Sequence, residues 1–74
     1  MPDRELILKK FGQNIRRKRE AYSISQEGLA EIAELDRTYV GGIERGERNP
    51  TIVSAARIAK ALRVSIADLC SEID

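Results

Sequence analysis

The stretch SQEGLAEIAELDRTYVGGIERGERNP, residues 25–50, decides how the rest of the chain is read. Leu29, Ile32 and Ala33 supply apolar positions at helical spacing. Ser25 is placed to cap that helix and Glu27 to complement its dipole, and the pattern ends near Glu34. Asp36 then caps a further helix from Arg37 to about Arg45, with Gly46 as its left-handed stop. Only a few residues separate the two patterns, which is the spacing of two helices joined by a tight turn. Within the second helix Gly41 and Gly42 stand side by side, although an interior glycine costs ~1 kcal/mol relative to alanine.

A helical wheel places Tyr39, Val40 and Ile43 on one side, with Leu35 just before them. The opposite side carries Thr38, Gly41 and Arg45, flanked by Arg37. A helix lying in the DNA major groove needs such a face. Arginine pairs bidentately with guanine, threonine bonds or touches a thymine methyl, and a missing side chain lets the backbone approach. Arg45 and Arg48 are then placed to meet phosphates beside the groove. Arginines on an exposed face are also commonly just solvated, so this face alone does not decide the matter. Gly42 lies off the groove side and implies close packing of an unspecified kind.

Working outward, the periodicity predicts a first helix from about Glu5 to Ala21, with Leu8, Phe11, Ile15 and Tyr22 near one face. Arg19 falls on that face too, where a cation must snorkel outward or find a buried partner. Asn49 and Pro50 break the chain. Thr51 caps a fourth helix whose stripe is Ile52, Ala55, Ile58, Ala59 and Leu62. Ser65 and Asp68 form a capping box opening a short fifth helix through Leu69 to about Ile73. The expectation is one all-α domain over residues 1–74, a compact five-helix bundle with a helix-turn-helix at about 26–45 and a C-terminal helix at about 66–73.

Composition narrows the function. The chain has 74 residues, 42% hydrophobic and 34% charged, with 13 basic and 12 acidic side chains. That is an ordinary globular composition for a single small domain. Lys9, Lys10, Arg16, Arg17, Lys18 and Arg19 lie close together with no acid among them, while Asp68, Glu72 and Asp74 crowd the C-terminal end. Such a charge distribution can orient a near-neutral protein on a polyanion. No stretch approaches the ~20 apolar residues of a membrane span, and the N-terminus does not read as a signal peptide. Histidine is absent and Cys70 stands alone, so the reading assigns no catalytic residues, no metal, no cofactor and no small-molecule ligand. The expected compartment is the cytoplasm.

From "FGQNIRRKRE" through "SIADL" the chain resembles the Cro and repressor-like (XRE) helix-turn-helix family, whose fold is of the lambda-repressor type. "LDRTYVGGIERGERN" is similar to the controller proteins of bacterial restriction–modification systems, which are dimeric transcription factors. The resemblance implies that Gln26 contacts a DNA phosphate and that Arg37 and Thr38 read base edges. It puts Gly41 at the next groove-facing turn and Arg45 and Arg48 near the backbone, with Tyr39 and Asn49 as further DNA contacts. It also implies a buried ion pair between Arg19 and Glu44.

The same resemblance implies a homodimer on a two-fold symmetric double-stranded DNA operator, with half-sites ~34 Å apart. Ile66, Leu69 and Ile73 of helix five are the expected dimer contacts. RNA polymerase is a candidate further partner, and the protein would sit with the bacterial nucleoid. Two departures stand out. Glu34 and Arg63 occupy turn positions where relatives commonly have glycine, which puts the left-handed conformation there in doubt. The alternative functions are the antitoxin of a toxin–antitoxin pair or a small phage-type repressor. A pure protein-interaction module is disfavoured because it would want apolar anchors where Arg37, Thr38 and Arg45 stand.

Overall fold

Five helices follow one another in the computed structural model, which describes residues 3–73. They are α1 (Arg4–Ala21), α2 (Gln26–Ala33), α3 (Arg37–Glu44), α4 (Ile52–Leu62) and α5 (Ile66–Leu69). Residues 1, 2 and 74, included in the expected domain, lie outside the described residues.

Each helix begins where a short polar side chain takes up a free backbone N–H. Asp3 accepts from Glu5, Ser25 from Gly28, Asp36 from Tyr39, Thr51 from Ser54 and Ser65 from Asp68. Such caps typically contribute ~1 kcal/mol each. At Ser65 the box is complete, because Asp68 Oδ2 also accepts from the Ser65 N–H at 3.0 Å. The left-handed residues after α2 and α4 are Glu34 (φ 58°) and Arg63 (φ 60°), so both turns keep the conformation without glycine.

Ile15, Leu29, Val40, Ile43, Ile58 and Leu69 are the largest fully enclosed side chains, and every helix contributes at least one. α1 crosses α3 at Gly12, where a Cβ would stand 2.3 Å from the Ile43 carbonyl oxygen. The small residue therefore sets how closely α3 approaches the first helix.

Several expectations need correction. Ile52 and Ile32 are 71% and 56% exposed, and Tyr22 is also exposed, so these three lie outside the core. Ile52 opens its helix on the side left to solvent, while Ser54 and Ala55 of the same turn face inward. Leu69, expected at a dimer surface, is fully buried within the chain's own core and cannot serve there. α5 stops at Leu69 instead of running to Ile73. The cause is a distant side chain: Asn14, buried in α1, donates to the carbonyls of Leu69 at 2.9 Å and Ser71 at 2.8 Å. These carbonyls are satisfied sideways, and Glu72 turns left-handed (φ 60°). Among the described residues no helix is long and apolar enough to cross a membrane.

Candidate nucleic-acid interface

The polar side of α3 is built on a clamp beneath it. Glu44 is buried, and its Oε2 accepts from Arg19 Nε at 2.7 Å while Oε1 accepts from Arg19 Nη2 at 3.0 Å. Gln26 Nε2 adds a further bond to Oε1 at 3.0 Å, and Arg19 Nη1 donates to the Ile24 carbonyl at 3.0 Å. Donating to the Glu44 carboxylate holds the Arg19 guanidinium above its ordinary pKa, against the opposing effect of burial. One carboxylate thus joins α1, the start of α2 and the end of α3. A bidentate pair fixes direction as well as distance, and removing one partner of a buried pair typically costs ~3–5 kcal/mol.

Above the clamp, Gln26, Arg37, Thr38, Gly41 and Arg45 surround one shallow concavity of about 190 Å³. Five of the expected DNA-contacting residues are therefore brought together. Arg37 and Thr38 are exposed at the first turn of α3, which holds no acid. A cation there opposes the helix dipole, and a helix selected for stability alone would place Asp or Glu in that turn. The free N–H groups and Arg37 together make this end attractive to an anion or to base acceptors.

Gly41 and Gly42 have different occupants. A Cβ on Gly41 would meet Arg45 Nη1 at 3.1 Å and Gln26 Oε1 at 3.4 Å, both ends of side chains. A Cβ on Gly42 would stand 2.5 Å from Arg48 Cγ, close to the stem of a side chain fixed by its own backbone. The segment after α3 folds back, with the N–H groups of Glu47 and Arg48 both donating to the Gly42 carbonyl, at 2.8 and 3.3 Å. Arg48 then lies over the Tyr39 ring, 5.4 Å from its centroid. Gly42 makes room for this return of the chain, which supplies the packing reason the sequence did not reveal.

Tyr39 is half-buried, and its hydroxyl donates to Ser54 Oγ at 3.3 Å. It acts here as a post between α3 and α4 and as the platform for Arg48. Asn49 does not join the concavity. It borders a separate apolar groove with Pro50, Ile52 and Ile66. Sequence reasoning missed Glu47, whose Oε1 accepts from Arg45 Nε at 3.1 Å, and it missed Asn14. The second acid in "ERGERN" was a visible signal for Glu47; nothing local marks Asn14.

Residues 15–69 match the helix-turn-helix family. The chain is 42% identical to the control protein C.SmaI of Serratia marcescens, over 93% of this chain and 87% of that protein. It is also similar to the crystal structure of the restriction–modification controller protein C.AhdI from Aeromonas hydrophila. That match has a TM-score of 0.82 and 48% identity, over 84% of this chain and 94% of the other. A third similar structure is the controller C.Esp1396I, a tetramer in complex with its natural 35 base-pair operator. There the TM-score is 0.80 and the identity 40%, covering 90% of this chain and 88% of that one.

Proposed function

This chain belongs to the helix-turn-helix family, among the controller proteins of restriction–modification systems, and from that premise we propose how it acts. It is a sequence-specific transcription regulator that binds a two-fold symmetric double-stranded DNA operator as a homodimer. The observation that carries the reading is the convergence of Gln26, Arg37, Thr38, Gly41 and Arg45 on one shallow concavity that runs along α3 from its first turn to its C-cap. Arg37 and Thr38 read base edges, Gln26 and Arg45 meet phosphates, and Arg48, seated on Tyr39, reaches the backbone beside them. Asn49, at the edge of the apolar groove, stands outside this face. No catalytic step, metal or cofactor is assigned.

The second copy sits on the apolar groove lined by Ile7, Leu8, Phe11, Ile52, Ile66 and Ile73, a cleft of about 560 Å³. Ile66 and Ile73 line this groove and are its proposed contacts, with Ile52 proposed in place of the buried Leu69. RNA polymerase is the further partner through which a DNA-bound dimer would change transcription, in the cytoplasm at the nucleoid.

The test begins with a duplex that the protein selects from a random pool, compared with a scrambled version across a salt series. The selected duplex should bind far more tightly, with a salt dependence reflecting on the order of 6–10 phosphate contacts per dimer. Equal binding of both duplexes at every salt concentration would remove the reading.

A further inference from the structure

We propose that Glu47 sets the affinity of the recognition face by holding Arg45 over Gly41 until DNA displaces it. The inference rests on the DNA-binding reading above and concerns a residue outside the expected contacts.

The bare position at Gly41 is not empty. Arg45 Nη1 lies 3.1 Å from where a Gly41 Cβ would stand, so the guanidinium covers the one groove-facing position that lacks a side chain. What keeps it there is Glu47, which accepts from Arg45 Nε at 3.1 Å. Glu47 is itself held in place, because its N–H donates to the Gly42 carbonyl at 2.8 Å. Arg48, the next cation along the chain, is engaged over Tyr39 at 5.4 Å and does not pair with Glu47. Among the described residues Arg45 is therefore the sole ion-pair partner of Glu47.

Two consequences follow for binding. The backbone at Gly41 can approach DNA only after Arg45 swings off it. As Arg45 moves to a phosphate, Glu47 loses its partner and stands exposed beside a polyanion, where like charges repel. Both effects oppose association on any sequence, since neither involves a base edge. Glu47 thus restrains the electrostatic part of binding and leaves base reading to Arg37 and Thr38.

The experiment measures fluorescence anisotropy with the selected and scrambled duplexes. It uses the wild type, Glu47→Gln, Arg45→Gln and the double variant, each across a salt series. Glu47→Gln should tighten binding to both duplexes about three- to tenfold at low salt, the advantage shrinking as added salt screens the exposed charges. In the Arg45→Gln background the same change should give less than half of that gain. Thermal melts should be alike for wild type and Glu47→Gln, because the pair is exposed. Glu47→Gln binding no tighter than wild type would overturn the proposal, and so would a full gain without Arg45. If the wild type prefers the selected duplex in either case, the DNA-binding reading stands and only the role of Glu47 falls. If the wild type shows no preference, both fall together.

Discussion

Glu34 and Arg63 hold φ angles of 58° and 60°, a region in which a Cβ crowds the following carbonyl oxygen. Each closes its helix by donating its N–H back into the last turn, Glu34 to Ala30 and Glu31, Arg63 to Ala59 and Lys60. Relief of this strain makes Glu34→Gly more stable than wild type by ~1 kcal/mol, read as a raised melting temperature; an unchanged or lowered one would contradict the account. Glycines give the reverse test. At Gly12 the obstacle to a Cβ is the backbone of α3, at 2.3 Å, whereas at Gly41 it is the movable end of Arg45, at 3.1 Å. Gly12→Ala should therefore melt well below wild type, by at least ~2 kcal/mol as overpacking without room to relax. Gly41→Ala should melt near wild type yet bind the selected duplex at least tenfold more weakly. A Gly41→Ala protein that binds normally would show that close approach at this turn is not needed.

Helix starts could be read from the sequence because a cap is a local object. Ser25, Asp36, Thr51 and Ser65 each sit a few residues from the N–H they accept. The end of α5 could not be read that way. It depends on Asn14, 55 residues away from Leu69, and side-chain capture over that distance leaves no periodic trace. The burial of Leu69 was hidden for a related reason: a four-residue helix shows too little period to separate its inner from its outer face. The cluster on α3 was legible from an eight-residue wheel with distinct faces. The pairing of Arg45 with Glu47 was not, because it runs through a non-helical turn.

At the start of α5, the Asp68 carboxyl is held below its ordinary 3.8 by hydrogen bonds from the Ser65 backbone and side chain. A depressed acid favours the folded chain when ionised. Its contribution is thus complete above the unfolded value and is lost as the pH falls through the lower folded one. Asp68→Asn keeps an acceptor and removes the titration. The stability difference between wild type and this variant should be constant from neutral pH to about 5, and should change below about 4. A difference independent of pH down to 2 would mean that the box contributes nothing through its charge.

For the whole molecule, net charge is +1, so attraction to DNA depends on where the charges sit. The concavity along α3 and the apolar groove share no lining residue, so the proposed DNA contact and the proposed dimer contact would not compete. Ile52, 71% exposed at the rim of that groove, can be changed without opening the core. Ile52→Glu should sediment as a folded monomer under conditions in which the wild type is a dimer; an undiminished dimer would place the interface elsewhere. Whether Arg37 reads a base at the start of α3 is decided by the selected-to-scrambled binding ratio. Arg37→Ala should lower that ratio by the equivalent of ~1–3 kcal/mol, whereas Arg45→Ala should weaken both duplexes alike. An Arg37→Ala protein that keeps the wild-type ratio would contradict the account.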